Sequence, residues 1–150
     1  MAYFNVSGLI AAAATKTPLL ITATAAVRPR LAAFCWSTDG VPTSDQGVNM
    51  ALRRHTVAGT STAVTPSPAD PANPAAVTIA GSNASVEPTY TAGNAGFDRA
   101  FNPRATVQWA AYDPRAEIVA PATAANGLGF QIIAAGGAAG NVRADMGFYE

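Results

Sequence analysis

The sequence has little of the side-chain chemistry on which catalysis and metal binding draw. Its 150 residues include one cysteine and one histidine, and only 12% are charged. A single cysteine, Cys35, excludes an internal disulfide. One cysteine and one histidine also fall short of the recognisable three- or four-ligand pattern of a zinc site. Any Ser-His-Asp or Cys-His arrangement would have to recruit His55, which follows Arg53 and Arg54 in a strand-like run and reads as a polar residue facing solvent or a loop. The formal net charge is zero. No basic surplus is available to neutralise phosphates, so no nucleic-acid partner is expected. Residues 9–21 are apolar in places, but Thr15, Lys16, Thr17 and Pro18 interrupt them and no basic cluster precedes them. Neither a signal peptide nor a membrane span is expected, and no membrane partner.

The acidic side chains carry no spacing that singles out a carboxylate pair for glycosidase chemistry. Asp98-Arg99 and Asp113-Pro114-Arg115 read as turn or rim ion pairs. The run Gly136-Gly137-Ala138-Ala139-Gly140 superficially suggests a phosphate loop, but no helical pattern or lysine follows it. The expectation is a protein that is not an enzyme and has no cofactor, metal or catalytic residue.

What the sequence does contain is apolar, small and neutral. Aliphatic and aromatic residues make up 49%. Much of that is alanine, so a core has to rest on Leu31, Phe34, Trp36, Trp109, Phe130, Ile132 and Phe148. Cys35 sits in the apolar run 31–36 and reads as a small buried hydrophobe. The length suits one domain over residues 1–150, able to bury roughly two-thirds of its unfolded surface. Charged residues are scarce at the centres of protein interfaces, so this surface suits a subunit packed against others.

Strand-like runs separated by turn signals cover residues 19–25, 30–37, 48–57, 105–112, 128–135 and 142–149, with weaker ones at 3–7, 77–80 and 117–120. This pattern predicts an all-β chain, an antiparallel sandwich or barrel, with a thin β-sandwich expected from the limited set of large side chains. Val142, Ala144, Met146 and Phe148 share one face, Leu128, Phe130, Ile132 and Ala134 another, and Val107, Trp109 and Ala111 a third. The glycine-rich link 136–140 can supply the positive φ of a hairpin, so the last two strands are expected to pair. Residues 7–15, with Ser7 as a cap before an alanine run, form the one serious helical competitor.

Two segments differ in kind. Residues 60–76 carry Pro66, Pro68, Pro71 and Pro74, which predicts an extended, polyproline-like arm or long loop that cannot be a central strand. Residues 81–103 are rich in Asn, Gly and Thr and predict a long loop region anchored by Tyr90, Phe97 and Phe101. The expected partner-binding residues are Pro66, Pro68, Asp70, Pro71 and Pro74 of the arm, Tyr3 and Phe4 of the N-terminal segment, and Tyr90, Phe97 and Phe101.

An N-terminal strand, the paired Arg53-Arg54 and the arm GTSTAVTPSPADPANPAA at 59–76 occur here with Val107-Gln108-Trp109, Asn126-Gly127-Leu128-Gly129-Phe130 and a final Phe148-Tyr149-Glu150. Together, from residue 48 onward, they resemble the cement or decoration proteins of tailed-bacteriophage capsids. The resemblance implies a jelly-roll-like sandwich, a homo-oligomer with a trimer preferred over a dimer, and the major capsid protein as partner. It places the protein on the outer capsid surface of the virion, bridging capsid subunits. A tail or head-tail component is the nearest alternative. A carbohydrate-binding module is the alternative of another class, with Trp36, Trp109, Tyr90 or Tyr112 as stacking platforms.

Overall fold

The computed structural model describes residues 1–93, 96–138 and 140–150. The first half of the chain contributes β1 (Tyr3–Ala11), β2 (Leu19–Thr22), β3 (Arg30–Thr38) and β4 (Val48–Val57). There follow β5 (Thr60–Val64), β6 (Ser67–Pro68), β7 (Ile79–Val86) and β8 (Thr89–Tyr90). The second half supplies β9 (Phe97–Phe101), β10 (Val107–Ala110), β11 (Ile118–Val119), β12 (Gly127–Ala134) and β13 (Asn141–Tyr149). One three-residue 3-10 turn, Pro114–Ala116, is capped by the Asp113 carboxylate, and no α-helix occurs among the described residues.

The strands form two antiparallel sheets. The first runs β10-β3-β13-β1-β6 with β11 also on β3; the second runs β5-β7-β2-β12-β4-β8 with β9 also on β4. Pairing is nested: β1 with β13, β2 with β12, β3 with β10 and β4 with β9. The chain is thus one long doubled-over ribbon rolled into a sandwich, the jelly-roll arrangement. Strands β5 to β8 are an insertion between β4 and β9; β5, β6 and β7 widen the two sheets at one side, and β8 adds to β4 at the other.

Alternation builds each layer. In β13, Val142, Ala144, Met146 and Phe148 are buried while Arg143 is exposed and Asp145 and Tyr149 are half-exposed. β1 buries Phe4, Val6 and Ile10 in the same way and pairs with β13 along its whole length. The helical expectation for residues 7–15 is therefore overturned as far as Ala11: a nine-residue ladder outweighs the modest helix propensity of alanine.

The centre of the sandwich is aromatic. Phe34 stacks on Trp36 at 4.6 Å and on Trp109 at 5.4 Å, and meets Phe130 of the opposite sheet edge-on at 5.4 Å. Trp36 meets Phe130 edge-on at 5.2 Å. Phe97 on β9 closes one side of the sandwich by meeting Trp109 on β10 at 4.9 Å.

Three expectations are corrected here. The last two strands do not pair; β12 lies between β2 and β4, and β13 between β1 and β3. Both apolar faces point inward, but from opposite sheets, so the link after Ala134 crosses the sandwich. Gly136 does take a positive φ of 53°, and Ala139 lies outside the described residues.

The proline-rich segment is docked rather than free. β5 pairs with β7 in one sheet, β6 pairs with β1 in the other, and buried Pro66 turns the corner between them. Past the corner, the Asp70 carboxylate accepts from Ala72 N at 2.9 Å and holds a tight turn. The Glu150 carboxylate then receives the backbone N–H groups of Val77 and Thr78, at 2.8 and 2.9 Å, which fixes the approach to β7.

Nor is 81–103 a long loop, since it contains most of β7 and all of β8 and β9; Asn94 and Ala95 in that stretch lie outside the described residues.

Truncating the aromatic centre should cost far more than truncating an exposed ring. Trp36→Ala or Phe130→Ala is expected to lose about 3–5 kcal/mol in urea unfolding. Tyr112→Ala, whose ring is 95% exposed, is expected to stay within about 0.5 kcal/mol of the parent.

Candidate functional site

The outward-facing side chains of β1, β13, β3 and β10 form an open trough of about 500 Å³. Strand register places Asn5, Gly147, Ala33 and Ala110 side by side across its floor. The next row is Ser7, Asp145, Cys35 and Gln108. Tyr3 forms one end: its hydroxyl lies over Gly147, where a Cβ would collide with it, and its ring meets Tyr149 edge-on at 4.9 Å. Small residues on the floor bring the sheet backbone close to whatever occupies the trough, and four hydrogen-bonded strands hold the floor rigid.

The electrostatics of the trough are muted. Of the lining side chains only Asp145 carries a charge at neutral pH. Burial, followed by the nearby Asp145 carboxylate, pushes the Cys35 thiol above its ordinary value, against a smaller opposing effect of its Gln108 hydrogen bond. The thiol stays protonated at neutral pH and is a poor nucleophile. Cys35 is half-exposed on the outer face rather than buried in the core, a correction to the sequence expectation, because Phe34 and Trp36 take the inward positions. At one end Arg143 pairs with Asp39 at 3.3 Å. The Asn141 backbone N–H and side chain also donate to Asp39, holding its carboxyl below the usual range.

The expected contact residues are dispersed. Tyr3 lines the trough. Phe4 and Phe101 are buried in the core and Pro66 in its corner. Phe97 is half-buried against Trp109. Pro68, Asp70, Pro71 and Pro74 follow one another along the β6 side of the first sheet, the last three exposed. Asn5, Ser7, Gln108, Ala110 and Asp145 were not anticipated. Their signal was present as the polar partners in the period-two alternation of strands whose inner faces were legible.

Of the proposed stacking platforms, Trp36 is fully buried and Trp109 half-buried on the inner side. Tyr90 packs over Gly129, and its hydroxyl shares a 2.8 Å hydrogen bond with Thr17. Burial pushes its phenol far up, so it stays neutral. Tyr112 remains exposed.

His55 is fully buried, not solvent-facing as expected. β12 carries glycine at 127 and 129 on its outer side; a Cβ at 127 would strike the His55 ring and one at 129 the Tyr90 hydroxyl. Those two absent side chains make room for the rings over the strand, where they meet edge-on at 6.5 Å. His55 Nε2 donates to the Ile21 carbonyl at 3.3 Å, and Nδ1 has no partner. Among the described residues no group of three or more His, Cys, Asp or Glu could hold a metal ion.

Burial depresses the His55 pKa from the ordinary 6.5, outweighing the opposing hydrogen bond to Ile21. Below that value the unfolded chain binds a proton the folded chain refuses, so stability falls as pH drops through and below 6.5. As the sole histidine, His55 is expected to account for the slope of the urea midpoint between about pH 7 and about pH 5. His55→Gln should flatten that slope, and an unchanged slope would contradict the assignment. No protein-family model, no curated protein and no solved structure was found to match this chain.

Proposed function

We propose that this chain is a structural subunit of a multi-copy particle, a cement protein that binds the outside of a bacteriophage capsid and bridges its major capsid protein subunits. The observation that carries the reading is the outer trough of the first sheet: rigid, nearly uncharged, and floored by Gly147, Ala33 and Ala110. Such a surface suits contact with another protein's backbone and small side chains, since charged groups are costly to desolvate at an interface core. The exposed turn carrying Asp70, Pro71 and Pro74 runs beside the same sheet and adds a second, preorganised contact. Proline restricts the free chain, so less freedom is lost on docking. Repetition over a shell would multiply a modest affinity. The sequence resemblance, carried by the 59–76 segment and the Val107-Gln108-Trp109 strand, supplies the capsid address.

The test is co-sedimentation with shells assembled from a tailed-phage major capsid protein taken from the same genome as this chain. The parent chain should pellet with shells. Asn5→Arg and Ala110→Arg, both at exposed positions of the trough, should stay in the supernatant while keeping the parent's urea midpoint within about 0.5 kcal/mol. A parent chain that ignores shells, or variants that still bind them, would overturn the reading. Loss of glycan-array binding on Tyr112→Ala would favour the carbohydrate module instead.

A further inference from the structure

A sheet edge presents unpaired N–H and C=O groups, and proteins blunt such edges with charge, proline, brevity or cover. Three of the four sides here are managed in one of those ways. β9 carries Asp98 and Arg99, β6 is two residues long and ends in Pro68, and β10 is a four-residue strand whose Trp109 is covered by Phe97. β5 is different. It is Thr60-Ser61-Thr62-Ala63-Val64, five residues with three β-branched side chains and neither charge nor proline, paired among the described residues on β7 alone, regularly from Thr62 to Val64 and with a register shift between Thr60 and Thr62. Thr60, Thr62 and Ala63 are exposed.

The surface flanking this edge is apolar. On the neighbouring β7, Ile79 is 59% and Val86 58% exposed. Between β5 and β2 the outer face sinks into a trough of about 590 Å³ whose lining includes Leu20, Ala63, Ile79 and Ala125 and no charged residue. A strand edge without charge or proline, beside an uncharged hollow, calls for an extended chain that brings its own apolar flank.

We propose that the occupant is a second copy of this chain, joined β5 to β5 in antiparallel fashion across a twofold axis. An isologous contact uses the same patch on both copies, and β5 complements itself. Thr60 of one copy lies opposite Val64 of the other, Ser61 opposite Ala63, and Thr62 opposite Thr62. The second sheet becomes continuous through the dimer, and the Ile79 end of β7 in each copy lies across the seam from the Val86 end in the other. No like charges meet anywhere along β5. This dimer stands independently of any capsid, and it differs from the trimer that the sequence resemblance favoured.

The symmetric register makes the test specific. Sedimentation equilibrium of the full chain should give twice the 15.2 kDa chain mass. Thr62→Lys puts two ammonium groups directly opposite each other and should weaken self-association about tenfold or more, as should Thr62→Glu. An equal mixture of the two variants should restore the dimer, because lysine then faces glutamate. Position 62 is exposed, so both variants should keep the parent's circular dichroism and melting temperature. A parent chain that is monomeric or trimeric overturns the proposal. So do variants that remain dimeric, and so does a mixture that stays monomeric.

Discussion

The aromatic column through the middle of the sandwich is the contact on which the rest depends. Trp109, Phe34 and Trp36 stack along the first sheet, and Phe130 rises from the second to meet two of them edge-on. These rings fill the centre of the sandwich, and Phe4, Phe148, Leu31, Leu52, Leu128 and Ile132 are fully buried with them. They also govern what lies outside. Because Phe34 and Trp36 point inward, Cys35 must point outward, and the residues beside it on β13 and β10, Asp145 and Gln108, follow by register. The outer trough is therefore the reverse side of the core.

The inward faces of the strands were legible in the sequence and their neighbours were not. Strand-like runs between turn signals located β4 over the observed residues and both terminal strands to within four positions. Alternation reports which face is buried, however, and says nothing about which sheet a strand joins. Leu128, Phe130 and Ile132 read the same as Val142, Ala144 and Met146, although they approach the core from opposite sides. Composition misled in the middle of the chain. The prolines begin at Pro66, after a β-branched run that forms β5, and the Asn- and Ser-rich β7 is a strand because Gly81 admits Ser61 from its neighbour. His55 was misread for a related reason: its burial follows from a missing side chain at Gly127, distant in sequence.

The trough of the first sheet and the β5 edge with its hollow are both nearly uncharged, and they belong to different sheets. A subunit with two such surfaces can meet one kind of neighbour through each. The insertion β5 to β8 creates the second surface, while the jelly roll alone accounts for the first.

Nested pairing also dictates an order of events. β1 finds its mate in β13, Tyr3 opposite Tyr149, so the earliest strand of the sandwich to leave the ribosome waits for the last. Until then the inner faces of β1 and β3 lack the strand that sits between them. A topology dominated by such distant pairings folds slowly, on the millisecond-to-second scale. The growing chain would spend its synthesis with Phe4 waiting for Phe148, the interval in which it is most exposed to chaperones and to aggregation.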